Sequence, residues 1–592
     1  MMQTAHALSR STFAATLAIV ALVSCRSSGP PIPEDYVDRS PRLGGHVGPA
    51  VDPAGTGTGR FAGPLLEAFD VERAMEVAQF ADGLYRAPAS DGYEATIERL
   101  LADLYGAGFG SNEGFELDVE SRGMAQPAWT PVSAKLIVQA KQAVREARKE
   151  KRNPNLIEQT LIGFDEPAAV ERAMLPIGTP SCDVSGRAVF ALEDIEPGTI
   201  FVTDQRIRSV EQDAAQRGAA AIVSSFLLPY CVDPTGRDQH YDAIFQDTLR
   251  PGSTLPSFYV SPRTAQNMRI ATEANAEFRM VAEVDQEVRE LRTIFATVRG
   301  SKFPDECVYV LAHADGAGAN DNASGVGAVL QLALSIKRLV DSGEIERPRR
   351  SIRFVFGQES SAGSVALDLE DDTPIAAIVA DMIGASYEAT GAVCLLERGW
   401  DPGALITLPP DSHTPWGAGA VVEEDIVPNG LAIVLRSALV DVGLATRVKG
   451  KAPWSTREHP WEGGADHDAF LARGYAAALV WHFTDFTYQT SLDRMANVDP
   501  AELRRTTAAI GAAALAVADA SPLDLERHLD TLNLERRVRL EAVTEAGAGV
   551  GLEELWKDWF DGARFWLKAL TAGEPLPEPE GLRALDSFGS DV

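Results

Sequence analysis

The chain has 592 residues, 45% of them hydrophobic, and its 54 Lys and Arg against 85 Asp and Glu give a net charge of −31. This length and apolar content indicate a globular protein of more than one domain. The negative charge argues against binding to nucleic acid, whose phosphates would repel the protein, and against adhesion of its surface to an anionic membrane.

The first 25 residues indicate export. Arg10 precedes an apolar run over residues 13–23, which is short for a membrane span and suits a signal peptide. The run ends Leu-Val-Ser-Cys25, which resembles a bacterial lipobox, so we expect Cys25 to be lipidated and to become the mature N-terminus. An ordinary secretory signal with an incidental cysteine is the alternative. Residues 26–63 are rich in Gly, Pro and Ser and predict a flexible tether.

Two segments precede the central part of the chain. Residues 64–174 are predicted to form a helical lead-in, because residues 71–84 and 93–105 have amphipathic patterns. Residues 175–282 alternate short strand-like runs with turns, and the string GRAVFALEDIEPGTIFV resembles a protease-associated domain. We expect this β-rich insert to cover or shape the entrance to a neighbouring site. A purely structural role is the alternative.

Four cysteines remain if Cys25 carries lipid, and an even number in an exported chain permits up to two disulfides. Cys182 and Cys231 fall in one predicted domain and are the favoured pair, which leaves Cys307 and Cys394 as the second. The sequence has no CxxC motif and no Cys-His spacing typical of zinc sites.

Candidate metal-binding and catalytic residues are most concentrated around residues 308–324. A short apolar run over residues 308–312 predicts a buried strand, and His313 and Asp315 follow it directly. Asp321 lies eight residues after His313, in a turn rich in Gly, Ala and Asn. Ser324 is predicted to cap the apolar helix that comes next. The pattern is therefore a strand, a loop with one imidazole and two carboxylates, and a helix.

Three further apolar runs end in the same way, at residues that can bind a metal or move a proton: residues 351–356 before Glu359, residues 375–380 before Asp381, and residues 476–481 before His482. A lone acid after a strand is usually a helix cap, but the carboxyl ends of parallel strands share one sheet edge. Imidazole and carboxylate groups together suit zinc. We expect an α/β fold with a mixed, mostly parallel sheet flanked by helices, a β-rich inserted domain, and helical N- and C-terminal segments.

Five strings resemble, in the same order, the motifs of the dinuclear zinc aminopeptidases, a family that includes aminopeptidase Y and bacterial leucyl aminopeptidases: HADGAGANDNASG, FVFGQE, ADMIG, EGGADHDAFLARG and YQTSLD. The resemblance covers roughly residues 285–500. It implies a zinc exopeptidase-like fold, a metallopeptidase domain over residues 283–500, and a helical C-terminal segment over residues 501–592. It also implies zinc as the cofactor and a peptide as the substrate.

The resemblance also implies roles for individual residues. His313 and Asp381 are expected to be ligands of one metal, with Asp321 as the shared or third ligand. Asp315 lies two residues from His313, and this spacing makes it a candidate for orienting the imidazole. Glu359 matches the general base that takes a proton from the attacking water.

Two positions depart from the family pattern. The family has two adjacent glutamates where this chain has Glu359-Ser360, and Tyr-His-Thr where residues 488–490 are Tyr-Gln-Thr. Both replaced ligands, now Ser360 and Gln489, belong to the second metal, so we expect one tightly bound zinc and a second that is weak or absent. His482 could substitute for a lost ligand or could be an ordinary strand-end histidine. A shifted register that uses Gln358-Glu359 is a further alternative.

The EGGADH string supplies candidates for orienting the substrate, Glu462, Asp466 and His467. His459 and His467 could equally be ordinary hydrogen-bonded loop histidines. The sequence therefore predicts an envelope-anchored metallo-aminopeptidase that removes N-terminal residues from peptides and touches the membrane through its lipid alone. The alternative is an inactive relative that binds peptides or proteins through the same cleft.

Overall fold

The computed structural model describes residues 55–141, 156–165, 170–359, 361–368, 372–405, 421–449, 454–546 and 550–576. The described strands are, in chain order, β1 (Phe115–Gly123), β2 (Ala128–Lys141), β3 (Leu156–Phe164), β4 (Cys182–Gly186), β5 (Ala188–Val189), β6 (Ile200–Thr203), β7 (Ala221–Ser224), β8 (Ser257–Tyr259), β9 (Glu277–Glu287), β10 (Glu290–Val298), β11 (Phe303–His313), β12 (Arg350–Gly357), β13 (Thr373–Ala380), β14 (Val393–Glu397), β15 (Thr456–His459) and β16 (Ala477–Phe483). The described α-helices are α1 (Gly59–Ala68), α2 (Val71–Asp82), α3 (Asp91–Gly106), α4 (Ile207–Gln216), α5 (Pro262–Glu273), α6 (Ala323–Ser342), α7 (Ala362–Leu367), α8 (Tyr387–Thr390), α9 (Leu431–Ala445), α10 (His467–Leu471), α11 (Pro500–Ala518), α12 (Leu525–Ala546) and α13 (Val550–Ala572).

The main sheet has eight strands in the order β1-β10-β12-β11-β13-β16-β14-β15. Its centre, β12-β11-β13-β16, is parallel, and β14 runs antiparallel to β16. The four strands predicted from apolar runs are β11, β12, β13 and β16, and the first three are neighbours. The predicted mixed, mostly parallel α/β sheet flanked by helices is confirmed.

The main sheet is covered on both faces because its strands are apolar on both faces. Val308, Val310 and Ala312 of β11 pack into a core with α1, α6 and α11, whereas Tyr309 and Leu311 pack on the other face with Phe470 of α10. Helix α6 is long and apolar enough to cross a membrane by length and composition, but 83% of its most apolar window is buried inside the protein. Such burial is typical of a core helix.

The N-cap of helix α6 lies two residues before the predicted Ser324 cap. Asn322 is the N-cap, and its Oδ1 accepts from the Gly325 N–H at 3.0 Å. The Asn322 side chain also donates to the carbonyl of Ala380 and accepts from the Met382 N–H. The cap therefore ties the start of α6 to the end of β13, on either side of Asp381.

The predicted lead-in over residues 64–174 is helical only as far as Gly106. Beyond it lie β1, β2 and β3, because β2 pairs along its length with β9, and β3 pairs with β2. The resulting sheet, β3-β2-β9-β4, and a parallel sheet, β5-β6-β7-β8, form the body of the insert. The β-rich region therefore draws strands from before residue 175. Helix α1 begins at Gly59, inside the range predicted for the tether, while the predicted signal peptide and Cys25 lie outside the described residues.

The two disulfides that the sequence permits are absent from the described residues, where Cys182, Cys231, Cys307 and Cys394 are free. Cys307 lies in β11 and Cys394 in β14, with β13 and β16 between them. At about 4.8 Å per strand the separation is roughly 14 Å, well beyond the reach of a disulfide. Cys182 lies in β4, where it pairs with Ala282 of β9. The Sγ of Cys231 lies 3.8 Å from the carbonyl of Tyr488 instead.

Candidate metal centre

Three neighbouring parallel strands deliver side chains to one edge of the main sheet. β11 ends at His313, Asp381 follows β13 directly, and Glu359 comes two residues after β12. One side-chain ligand atom from each of these three residues lies within 4.8 Å of the other two. Asp321 joins them from the loop between β11 and α6. The structure thus brings together His313, Asp321, Asp381 and Glu359.

Contacts of the His313 ring fix how it is oriented. Its Nδ1 lies 3.3 Å from Asp315 Oδ1, which also accepts the Glu359 N–H at 2.8 Å. Because the Asp315 carboxylate is an acceptor, it favours the tautomer in which Nδ1 carries the proton. The other ring nitrogen, Nε2, faces Oδ1 of Asp381 at 3.1 Å and Oδ1 of Asp321 at 3.2 Å.

This arrangement fits a divalent metal. One imidazole nitrogen and two carboxylate oxygens converge on one point, as in a zinc site. Burial lowers the pKa of His313, but the carboxylates of Asp381 and Glu359 outweigh it and raise that pKa well above its ordinary value. A proton on Nε2 therefore occupies, in the absence of a metal, the place that a cation would take. Burial raises the pKa of Glu359 well above its ordinary value, and the neighbouring carboxylates of Asp381 and Asp321 raise it further. Burial also raises the pKa of Asp381, while His313 opposes that shift. A zinc ion would offset this crowding of negative charge, so the residues present fit the metal that the sequence implies.

The sequence singled out Ser360, Gln489 and His482 in connection with a second metal. Ser360 lies outside the described residues. Gln489 has a positive φ of 51°, and its carbonyl accepts the N–H of Gln246 from the insert at 2.8 Å. His482 lies within β16 rather than after it, and its Nε2 is 3.5 Å from Glu502 of α11. The His482 ring therefore faces Glu502 of α11, which agrees with the alternative of an ordinary strand-end histidine.

The three candidates for orienting substrate separate into two places. Asp466 lies near the candidate metal centre, since His313, Asp315 and Asp381 all influence its pKa, which burial raises to about 7. Its Oδ1 accepts the Gly363 N–H at 3.0 Å. Glu462 and His467 have side chains that are 0% exposed and lie beside Glu397 instead. In this structure a substrate in solution has no direct access to those two side chains.

Glu397 organises a second buried cluster that the sequence did not reveal. Its Oε1 accepts the N–H groups of Glu462 and Gly463 and lies 2.9 Å from His467 Nε2. The apolar run over residues 393–396 could have indicated that Glu397 lies at the end of a strand. It was ambiguous, because β14 is antiparallel to β16 and its carboxyl end points away from the edge that bears His313.

Glu397, His459 and Glu462 are close enough to hold a metal, but the hydrogen bonds of His459 argue against one. The indole N–H of Trp481 donates to His459 Nε2 at 3.1 Å, so Nε2 must carry the lone pair. Nδ1 must then carry the proton, and it lies 2.8 Å from the carbonyl of Pro460. Because both nitrogens are committed, His459 lies in a hydrogen-bonded network and offers no ligand atom.

Comparisons with known proteins give one family match and several similar structures. The family described as Peptidase family M28 matches residues 293–387, and no curated protein matches the chain. The chain is similar in structure to BSAP, a zinc aminopeptidase from Bacillus subtilis, with 13% identity, a TM-score of 0.47, and coverage of 75% of this chain and 94% of that one. It is also similar to a peptidase M28 precursor from Shewanella amazonensis, with 17% identity, a TM-score of 0.49, and coverage of 78% and 97%. An aminopeptidase from Aneurinibacillus sp. strain AM-1 gives 15% identity, a TM-score of 0.41, and coverage of 76% and 95%.

The match to family M28 falls on the part of the chain that bears the centre. Residues 293–387 contain His313, Asp321, Glu359 and Asp381. The family match and the convergence of these side chains together support a peptidase.

Proposed function

We propose that the protein is a zinc-dependent aminopeptidase that hydrolyses N-terminal peptide bonds. The observation that carries the proposal is the convergence of His313, Asp321, Asp381 and Glu359 on one sheet edge, within the segment that matches peptidase family M28. When bound, zinc lowers the pKa of water toward about 7 and polarises a carbonyl group.

The residues of this chain have separate roles in the proposed reaction. His313, Asp321 and Asp381 would hold the metal, and Asp315 fixes the His313 ring through Nδ1. Asp315 also accepts the Glu359 N–H, so it holds the base at a fixed position relative to the imidazole. Glu359 takes a proton from the attacking water and delivers it to the amine that leaves.

We further propose that one metal position is intact and the other is degraded. The first keeps an imidazole and two carboxylates, the set that a catalytic zinc needs beside an open position. The second has Ser360 and Gln489 where the resembling family has glutamate and histidine, and a hydroxyl and a neutral amide bind zinc weakly. A catalytically inactive relative that binds peptides in the same cleft is the second candidate, and these two replacements are what favours it.

The proposal extends to the location of the protein. The apolar run that ends at Cys25 and the Gly- and Pro-rich residues after it support an exported protein with a lipid anchor in the bacterial cell envelope. A net charge of −31 leaves the lipid as the contact with the membrane.

Glu359→Gln is the direct test. A protein that lacks residues 1–25 is assayed on aminoacyl chromogenic substrates with added zinc, and its metal content is measured in parallel. We expect turnover to fall by about 100-fold or more, as for loss of a general base, with metal content unchanged. Gln358→Ala is the matched control, since it changes the neighbouring residue without removing a charge.

Other outcomes point to the alternatives. Loss of metal in Glu359→Gln would make Glu359 a ligand and support the register that uses Gln358-Glu359. No turnover by the unmodified protein with any divalent metal, together with saturable peptide binding, would support the inactive relative.

A further inference from the structure

The loop between His313 and Asp321 carries candidate ligands at both ends, so its shape decides whether they meet. Its glycines allow an irregular path. Gly316 has a φ of 95°, and a Cβ on Gly318 would lie 2.1 Å from Asp493 Oδ2. Such a chain has little side-chain packing of its own to fix it. Other parts of the protein must therefore hold this loop.

Arg86, between α2 and α3, contacts the loop along one side. Its Nε donates to the carbonyl of Ala314 at 3.0 Å, and its Nη2 donates to the carbonyl of Gly318 at 3.0 Å. The third branch, Nη1, donates to the carbonyl of Ala81 at the end of α2. The main chain of Arg86 also exchanges two hydrogen bonds with Gly316, each 3.1 Å long. One guanidinium thus joins α2 to the residue beside His313 and to a residue three before Asp321.

The burial of the Arg86 side chain carries a free-energy cost, because its charge is removed from water. Arg86 is 0% exposed and, among the described residues, forms no ion pair. Removing a charge from water costs several kcal/mol when no opposite charge contacts it directly. Burial lowers the pKa of Arg86, and the carboxylates of Asp82, Asp315 and Asp321 partly offset that shift from a distance.

The carboxyl group of Asp493 contacts the main-chain amides of the same loop. Asp493 accepts the N–H of Asn320 at 2.7 Å and that of Asp321 at 2.9 Å, and its carbonyl accepts the N–H of Ala319 at 3.1 Å. The Arg86 guanidinium therefore satisfies carbonyls of the loop, while the Asp493 carboxyl group satisfies two of its amides. The two side chains together define the path of the loop.

We propose that Arg86 is a positioning residue of the metal centre, which sets the separation of His313 and Asp321 by fixing the carbonyls of Ala314 and Gly318. The inference deepens the proposed function and rests on it for the identity of the ligands. Through Arg86, the N-terminal lead-in would contribute directly to the geometry of the metal centre. The planar fork of arginine is required, because three carbonyls in different directions exceed what the compact ammonium of lysine can satisfy from one position.

Arg86→Lys tests the proposal, with Arg172→Lys as the matched control. Arg172 is 2% exposed and donates to the carbonyls of Asp82 and Gly83, so it is an equally buried arginine that braces the same lead-in. Zinc affinity is measured by competition with a chromogenic chelator. We expect Arg86→Lys to weaken zinc binding by about 10- to 100-fold, the range for residues that orient metal ligands, and Arg172→Lys to leave it within about threefold of the unmodified protein.

A second measurement does not depend on the metal. Amide hydrogen exchange of the peptide that covers residues 314–322 is followed in metal-free protein, where it reports local opening of the loop. We expect exchange there to be at least about tenfold faster in Arg86→Lys than in Arg172→Lys, with equal exchange in the strands of the main sheet.

The two measurements separate the inference from the proposed function. Unchanged exchange in the loop, or equal zinc affinity in the two variants, would overturn the role of Arg86. Zinc that fails to bind the unmodified protein, together with faster loop exchange in Arg86→Lys, would overturn the metal centre and leave Arg86 as the residue that holds the loop.

Discussion

Glu535 of α12 contacts three buried arginines, and removing its charge should destabilise the protein strongly. Its carboxylate lies 2.5 Å from Arg398, 3.1 Å from Arg436 and 2.8 Å from Arg539, and its side chain is 0% exposed. Burial alone would raise the pKa of Glu535, but Arg398, Arg539 and Arg436 outweigh it and hold that pKa far below its ordinary value. The carboxylate is therefore ionised at neutral pH.

The size of the effect follows from the charge count. Asp401 and Glu458 complete the network, so that three carboxylates face the three guanidinium groups. Glu535→Gln keeps the shape of the side chain and leaves one buried positive charge uncompensated. Removal of one partner from a buried ion pair costs about 3–5 kcal/mol in the free energy of unfolding. Glu553→Gln is the control, because Glu553 pairs with Lys557 at a surface position that is 35% exposed, and such pairs contribute about 0–1 kcal/mol.

Urea unfolding followed by tryptophan fluorescence measures the difference. Trp556 and Trp559 lie against Arg539 and Arg398, at 5.0 and 5.4 Å from ring centre to guanidinium, so they report on the network itself. We expect the transition of Glu535→Gln to move to lower urea by an amount that corresponds to several kcal/mol. Equal midpoints for the two variants would refute the reasoning, since a buried charge would then cost no more than an exposed one.

Three further predictions concern pH, metal and membrane. Burial lowers the pKa of His528 to about 4, below its unfolded value of about 6.5, so the stability from its neutral form is present above pH 6.5 and is lost as pH falls toward 4. The free energy of unfolding should thus drop by about 1 kcal/mol between pH 7 and pH 5.5, and His528→Leu should lose that contribution to the pH dependence. Elemental analysis after dialysis against a weak chelator should give one zinc per chain, and Ser360→Glu with Gln489→His should raise the count toward two; two metals in the unmodified protein would contradict the degraded site. Cys25→Ser should release the protein from the membrane fraction, whereas a soluble mature protein with Cys25 intact would disprove the anchor.

The convergence of His313, Asp381 and Glu359 could be predicted because it depends on local pattern and one topological rule. Each follows an apolar run, and parallel neighbouring strands bring such positions to one edge. His482 shows the limit of that reasoning. β16 continues to Phe483, so His482 is the last residue but one of a strand. A shift of one residue moves a side chain to the other face, and His482 faces α11.

The direction of β14 in the sheet also could not be predicted from the sequence. Glu397 follows an apolar run as Asp381 does, yet β14 is antiparallel to β16, so Glu397 pairs with Leu479 while Val393 pairs with Phe483 at the other end. Nothing in the local pattern specifies that direction. Arg86 left no signal either, since its partners Ala314 and Gly318 follow more than 220 residues later in the chain. A hydrogen bond from a side chain to a main-chain carbonyl far away in the chain produces no repeating pattern in the sequence, so it could not be predicted.

The boundaries predicted at residues 283 and 500 come from the extent of the family resemblance, whereas contacts that support the candidate metal centre and its sheet cross both of them. Arg86 reaches the loop of the centre from before the first boundary, and Gln246 of the insert binds the carbonyl of Gln489. Glu535, from beyond the second boundary, neutralises arginines that follow β14 and lie in α9. The apolar core likewise joins α1, α6 and α11 in one cluster. A centre built on a glycine-rich loop needs support from several directions, and here that support comes from the N-terminal lead-in, the insert and the main sheet, which the C-terminal helices brace in turn.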